Sequence, residues 1–217
     1  MDDSSLISLK FATIPAGTYE LGWRFTEMLP PDVEAALSGF LPRDELLKQF
    51  SGRRSVELGA FEIATESIPL VELLGDPYDL EDEVATIEDL CNKLDDLLRP
   101  RGFRVPIEDE IEAACDGDLF WWGMSIPDGI PYGKKTTFEL HRKPNIHGLV
   151  LNGDPYNVEV VRHAFKLGDG GAAICGAYPW PLAWLALAPS WYLGQDAVEE
   201  CFIEHLETAR VRPIRVG

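Results

Sequence analysis

Val84, Ile87, Cys91, Leu94 and Leu98 recur at three- and four-residue steps, the spacing that gathers apolar side chains into one stripe on a helix. The pattern predicts a helix over residues 80–98. Glu81, Asp82 and Glu83 fall in its first turn, where negative charge suits the positive end of the helix dipole, and Pro100 and Gly102 stop it. A second helix is expected from Pro106, whose fixed φ suits the first helical position, to about Cys115. Residues 31–50 read as two helical pieces broken at Pro42, with Asp44 near the start of the second. Elsewhere alternation replaces helical spacing. Residues 11–23 alternate around Pro15-Ala16-Gly17, which predicts a strand, a turn and a strand. Val56, Leu58, Phe61 and Ile63 predict a further strand bent at Gly59-Ala60. After Asp116 Gly, Pro, Trp and Tyr dominate, and long loops held by aromatic packing are expected. Residues 206–216 look strand-like again.

No repeat, low-complexity tract or linker interrupts the chain, so one domain spanning 1–217 is expected, long enough to bury a sizeable core. Charge changes the picture more than length. Lys and Arg number 19 against 37 Asp and Glu, a net charge of −18. So acidic a surface repels nucleic acid and anionic membrane and attracts basic partners, and it also serves solubility. The charge is concentrated. Between Asp76 and Asp118, 15 acidic residues meet four basic ones, Lys93, Arg99, Arg101 and Arg104. A surface that steers a cationic partner and a solvated helix face both fit that stretch. The partner-binding set it suggests is Asp79, Glu81, Asp82, Glu83, Glu88, Asp89, Asp95 and Asp96, joined by Glu108, Asp109 and Glu112. Neighbouring carboxylates at 108–112 also raise paired acid–base chemistry, but no complementary acid or base is visible beside them. Dipole partners on a solvated helix start fit them better.

Residues 170–195 carry no charge, yet Pro179, Pro181, Pro189 and several glycines interrupt them and no basic cluster flanks them. They read as buried strand and loop rather than a membrane span. The opening MDDSSLISLK lacks a basic region followed by an apolar run, so no signal peptide is expected. Cys91, Cys115, Cys175 and Cys201 show no CxxC or His/Cys ligand spacing, which favours free thiols in a reducing cytoplasm and no metal site. Trp121, Trp122, Trp180, Trp184, Trp191 and Tyr192 crowd the second half. They read as core, with a partly exposed binding platform of Trp180, Trp184 and Trp191 as the functional alternative.

Five segments carry a resemblance when taken in order. They are IPAGTYELG at 14–22, RVPIEDEIEAAC at 104–115 with Trp122-Gly123 behind it, NIHGL at 145–149, GGAAIC at 170–175 and PIRV at 213–216. In that order they resemble the formylglycine-generating enzyme (sulfatase-modifying factor) family. Arg104, Val105, Pro106, Glu108, Glu110 and Glu112 match the family's arginine-leucine-proline-threonine-glutamate run, with Ile107 and Ile111 where threonine and tryptophan are usual. Pro144, Asn145, Gly148 and Leu149 fit its PNxFGL, and Asn157-Val158-Glu159 keeps part of its asparagine-valine-tryptophan-glutamate-tryptophan signature. The resemblance implies an α+β fold, a formylglycine-generating-enzyme-like variant of the C-type lectin fold, with helices in the first half and a loop-rich second half.

Catalytic members of that family work through two closely spaced cysteines that hold copper, and the copper activates oxygen to oxidise a cysteine in a sulfatase. Cys175 matches the first cysteine, and Trp180 stands in the place of the second. One thiolate does not supply the two-sulfur site that suits cuprous copper, and His141, His147, His163 and His205 show no spacing to Cys175 that makes a site. A small buried thiol in a Gly/Ala-rich strand is the plainer reading of Cys175.

The expected function is therefore a non-catalytic, acidic protein-binding module without a cofactor. By charge and size it resembles the immunity proteins that protect bacteria from secreted nuclease toxins, so a basic protein such as a nuclease toxin is the expected partner. The alternative is a divergent copper oxidase of the formylglycine type that acts on a protein cysteine through Cys175. A third reading, by analogy with the lectin fold, is a carbohydrate or small-ligand receptor, although no calcium-ligand spacing marks one.

Overall fold

Residues 6, 8–23, 31–40, 42–80, 83–116, 118–123, 125–126, 143–151, 157–168, 179–192 and 202–216 are described in a computed structural model of the chain, where they form a mixed α+β arrangement. The first half is organised by two facing bends. β1 (Phe11–Ile14) and β2 (Gly17–Leu21) flank Pro15-Ala16, and β3 (Arg54–Leu58) and β4 (Phe61–Ala64) flank Gly59-Ala60. β1 pairs antiparallel with β4 and β2 with β3, with Ile14 opposite Phe61 and Gly17 opposite Leu58. One register therefore runs across both bends. The strand–turn–strand reading holds for the elements, but β1 and β2 pair with distant partners and not with each other.

β1 and β4 continue into a four-stranded sheet of order β1-β4-β10-β6, with β6 at Phe103–Arg104 and β10 at Ile214–Arg215. A second four-stranded sheet has the order β5-β9-β7-β8, formed by β5 (Ile68–Pro69), β9 (Ala209–Val211), β7 (Val158–Val161) and β8 (Ala164–Lys166). Its β7–β9 pair is parallel. Only Arg212 and Pro213 separate β9 from β10, so the end of the chain stitches the two sheets together.

Helices α1 (Pro31–Ser38) and α2 (Arg43–Leu47) form on either side of Pro42, as the sequence predicts, and α3 (Leu70–Leu74) follows β5. The long helix, α4, starts later than its apolar stripe suggests and covers Ile87–Leu98. Thr86 is the reason. Its Oγ1 accepts the Asp89 N–H at 3.1 Å, and the Asp89 carboxylate accepts the Thr86 N–H at 3.0 Å. That reciprocal cap satisfies two otherwise orphaned donors and fixes the helix start. Glu88 and Asp89, rather than residues 81–83, occupy the first turn. Leu80 and Val84 still reach the core, Leu80 from a 3₁₀ turn at Pro77–Leu80. Gly102, at φ 80°, closes the far end after a second 3₁₀ turn at Arg99–Arg101. Helix α5 likewise begins at Glu108 and ends at Ala113, because the Glu110 carboxylate accepts the Ile107 N–H at 2.9 Å and starts the helix beyond Pro106.

The second half is richer in regular structure than expected. Besides β7 and β8 it contains α6 (Trp180–Leu185) inside the uncharged run, and α7 (Phe202–Thr208) where a strand was expected to start at Leu206. Helix α6 gives no amphipathic signal because residues 181–190 are all buried. One hydrophobic cluster gathers Trp23, Leu37, Phe50, Ile111, Phe120 and Trp184, and a second gathers Leu73, Leu90, Leu94, Val160, Phe165 and Phe202. Among the described residues no helix is long and apolar enough to cross a membrane.

Arg212 sits fully buried at the seam between the sheets. Its Nε and Nη2 donate to the two Glu159 carboxylate oxygens at 2.9 and 2.6 Å. Nη1 donates to the Ala64 and Thr65 carbonyls at 3.0 and 2.8 Å, and Nη2 also to Val150 O at 2.9 Å. All the guanidinium N–H groups are thereby used, and the plane lies 4.7 Å from the Trp121 ring centre. Arg212→Met leaves Glu159 charged, buried and unpaired, so it should destabilise the chain by about 3–5 kcal/mol in urea unfolding. A loss under about 1 kcal/mol would show that the seam does not depend on this pair.

Candidate functional site

The segment 104–115 folds into a short helix with two differently engaged sides. On one, Arg104 forks onto Glu110, with Nη1 donating to Oε2 at 2.8 Å and Nη2 to Oε1. On the other, Glu108 and Glu112 lie one turn apart, where helical residues four apart share a face. They meet side chains drawn from far along the chain. Lys166 is fully buried, and its Nζ donates to Glu108 Oε1 at 2.7 Å, Pro189 O at 3.0 Å and Glu112 Oε1 at 3.4 Å. The same ammonium lies 4.0 Å from the Tyr192 ring centre. The Tyr192 hydroxyl spans both Glu108 oxygens at 2.5 and 2.6 Å. Arg54 grips Asp109 Oδ1 through Nε at 2.9 Å and Nη2 at 2.6 Å, and reaches Glu112 Oε1 at 3.2 Å.

Glu112 gathers the most donors. Besides Arg54 and Lys166 it accepts Ser51 Oγ–H at 2.7 Å on Oε1 and the Gly22 N–H at 2.7 Å on Oε2. Gly22 has φ +87°, and a Cβ there would stand 2.2 Å from Gly52 O, so no other residue fits this approach. Burial raises the Glu112 carboxyl above the usual range. Burial pushes Glu108 up as well, but the Lys166 charge and the hydrogen bonds around it outweigh that and hold it below the usual range. Burial and the Glu108 contact push the Tyr192 phenol up, so it stays protonated as a donor. The junction thus clamps β2, the segment 51–54, α5, β8 and the 189–192 turn by mutual charge and hydrogen bonding.

A second clamp closes on Asp95. It accepts Arg99 Nη2 at 2.9 Å, the Val105 N–H at 3.1 Å and Arg162 Nη2. Burial pushes this carboxyl up, and the three donors outweigh burial and leave it below the usual range. Asn145 ties the NIHGL segment to the end of α5. Its Nδ2 donates to Ala114 O at 2.7 Å, and its Oδ1 accepts the His147 and Leu149 N–H groups at 2.9 and 3.0 Å.

These contacts redraw the acidic face expected from sequence. Asp95 and Glu112 are buried, and Glu108 and Asp109 are only partly exposed and already paired, so these four leave the partner-binding set. Their cations, Arg54, Arg162 and Lys166, stand far off in sequence, and only folding brings them together. Asp79, Glu83, Glu88 and Asp96 are exposed, with Glu83 paired to Lys93, and Asp89 is half-buried in the α4 cap. Glu81 and Asp82 lie outside the described residues. What sequence reasoning missed lies upstream: Glu66, Glu72 and Asp76 are exposed too. Residues 65–92 contain nine acidic residues and not one Lys or Arg, a signal that a count starting at Asp76 cuts in two.

The aromatic platform does not form as drawn. Trp184 is fully buried in the core, edge-on to Trp122 at 5.5 Å between ring centres. Trp180 and Trp191 are partly buried and packed against the same cluster, Trp191 edge-on to Phe50 at 4.9 Å. Cys91 and Cys115 are buried free thiols, and burial raises the Cys91 thiol. Cys175 and Cys201 lie outside the described residues. Among the described residues no group of three or more His, Cys, Asp or Glu side chains is placed to hold a metal ion.

No protein-family model matches the chain, and no curated protein matches it.

The Asp95 clamp has a defined pH signature. Its folded carboxyl titrates below the unfolded value of about 3.9, so its contribution is present above that value and is lost as pH falls through the folded one. Asp95→Asn should cost about 2–3 kcal/mol at pH 7 in urea unfolding, and the difference from wild type should shrink below about pH 4. A difference that stays constant with pH would contradict the clamp.

Proposed function

We propose that the chain is a non-catalytic, acidic binding protein that takes a basic protein partner on the face formed from residues 65–92. The observation that carries this reading is the separation of charge. Five cations, Arg54, Arg104, Arg162, Lys166 and Arg212, are taken up by carboxylates within the fold, while residues 65–92 keep nine acids with no cation in the segment. Among the described residues Lys93 pairs with Glu83. An excess of one sign on an exposed surface projects a potential that steers an oppositely charged protein and raises its association rate. A nuclease is the sharpest partner class, because a protein that grips phosphates exposes lysines and arginines. An acidic protein seated there blocks substrate, as an immunity protein does to a secreted nuclease toxin.

The proposed scaffold is a formylglycine-generating-enzyme-like variant of the C-type lectin fold. Its support is the ordered set of motifs, several of whose residues are structural hubs: Arg104 with Glu110, Glu112 with Gly22, Asn145 with Ala114, and Glu159 with Arg212. The non-catalytic reading rests on the lone cysteine of that motif, since Trp180 takes the second place and opens α6. A cytoplasmic setting fits the free thiols of Cys91 and Cys115.

The test is association with a basic partner taken from the native host, measured by surface plasmon resonance at low and high salt. Neutralising Glu66, Asp76, Asp79 and Glu88 together to the corresponding amides should lower the low-salt association rate roughly tenfold or more while the chain stays folded by circular dichroism. Equal binding by the neutralised chain would sink the charged-face reading. Tight cuprous copper binding that disappears in Cys175→Ser would overturn the non-catalytic one.

A further inference from the structure

A lone apolar side chain at a surface needs no explanation. Among the described residues six large ones stand exposed, and two of them, Val71 at 49% and Tyr78 at 56%, fall within the acidic segment 65–92. Charge steering gains nothing from either, so another role has to account for them. The two are close together. The Gly75 N–H donates to Val71 O at 3.1 Å, and Tyr78 follows three residues later, a reach of at most about 11 Å even for extended chain. A standard protein interface covers roughly 800 Å² on each side, so one partner has room to cover both.

Both are held by the fold. Leu70, Leu73 and Leu80 bury into the cluster that contains Phe202 and Leu206 of α7, and α7 packs against both α3 and the 77–80 turn. Val71 and Tyr78 are the large apolar side chains that these two elements leave outside. The Asp76 carboxylate accepts the Tyr78 N–H at 3.0 Å, and Pro77 is buried beside it, so the Tyr78 backbone is set before any partner arrives. An aromatic ring on a preset backbone loses little conformational entropy on contact, which is why tyrosine serves as an interface anchor. The charges around it select the partner. Exposed Glu66, Asp76, Asp79 and Glu88 repel nucleic acid and anionic membrane and complement lysine and arginine. A second copy of the chain carries the same net charge of −18, which opposes pairing through this face.

We infer that Val71 and Tyr78 are the apolar anchors of the acidic face, and that they seat against an apolar patch bordered by lysines and arginines on a basic protein. The inference rests on the charged-face proposal and adds what holds the complex once charge has brought it together. Charge sets the rate of encounter, and buried apolar contact sets the rate of release.

The probes are two synthetic peptides of equal charge, a six-arginine chain with glycine spacers and the same chain with leucine in place of each glycine. Each is titrated at low salt into the full, ¹⁵N-labelled chain and followed by amide shifts. The leucine peptide should bind roughly fivefold more tightly, the effect of partly burying its side chains, and its additional shifts should centre on residues 70–79. Val71→Ser and Tyr78→Ser together should remove that gain and leave the affinity for the glycine peptide unchanged, with circular dichroism confirming the fold. Ile146→Ser, at a side chain 72% exposed outside the acidic segment, should keep the gain. Equal affinity for the two peptides, with both shifting 66–89, would overturn the anchors and leave the charged face standing. No shift at 66–89 with either peptide would overturn both. A gain that survives in the double variant, or that Ile146→Ser removes, also overturns the anchors. So does a dimer in sedimentation that the double variant dissolves, because it assigns the two side chains to a second copy.

Discussion

The buried pair of Arg212 and Glu159 is the constraint on which the rest of the structure hangs. Arg212 lies in the short link between β9 and β10, and each of these strands belongs to a different four-stranded sheet. A buried guanidinium is tolerated only with its charge matched and its donors used, and here Glu159, Ala64, Thr65 and Val150 do both. Those partners belong to β7, to the end of β4 and to the loop before β7, so one side chain fixes where the sheets meet. Asn145 holds the NIHGL segment against the end of α5.

The same logic runs through the other two clamps and explains how so acidic a chain folds. With 37 carboxylates and 19 cations, self-repulsion opposes compactness unless the cations stand where they count most. Arg54, Arg104, Arg162, Lys166 and Arg212 each meet a buried or half-buried carboxylate inside the fold. Among the described residues of 65–92, Glu66, Asp76, Asp79 and Glu88 stand exposed. The proposed function would draw on the same arrangement: cations paired inside the fold for stability leave exposed carboxylates to meet a basic partner.

The parts of this arrangement that were legible in the sequence are those set by local rules. The apolar stripe of α4, the break at Pro42, the bend at Gly59-Ala60 and the stop at Gly102 all follow from spacing or from a residue's own backbone preference. Helix starts were misplaced because a side-chain bond decided them, from Asp89 for α4 and from Glu110 for α5. Helix α6 escaped notice because burial on every side erases the polar face that marks a helix. The candidate site was half legible. The density of carboxylates was visible, but which of them are occupied depends on Arg54, Arg162 and Lys166, which pair across more than 50 residues of sequence. The segments of the resemblance include Arg104, Glu110, Glu112, Asn145 and Glu159 among the hubs but miss Arg54, Asp95, Lys166 and Arg212.

The most direct test of the account asks where a generic cation goes. Amide shifts of the labelled chain should be mapped at low salt while a short, unstructured arginine-rich peptide is added. The account requires salt-sensitive shifts concentrated at residues 66–89, with 108–112 unmoved because their carboxylates already hold Arg54 and Lys166. Shifts centred on 108–112, or an even scatter over the whole acidic surface, would mean that internal pairing does not decide where this protein meets its partner.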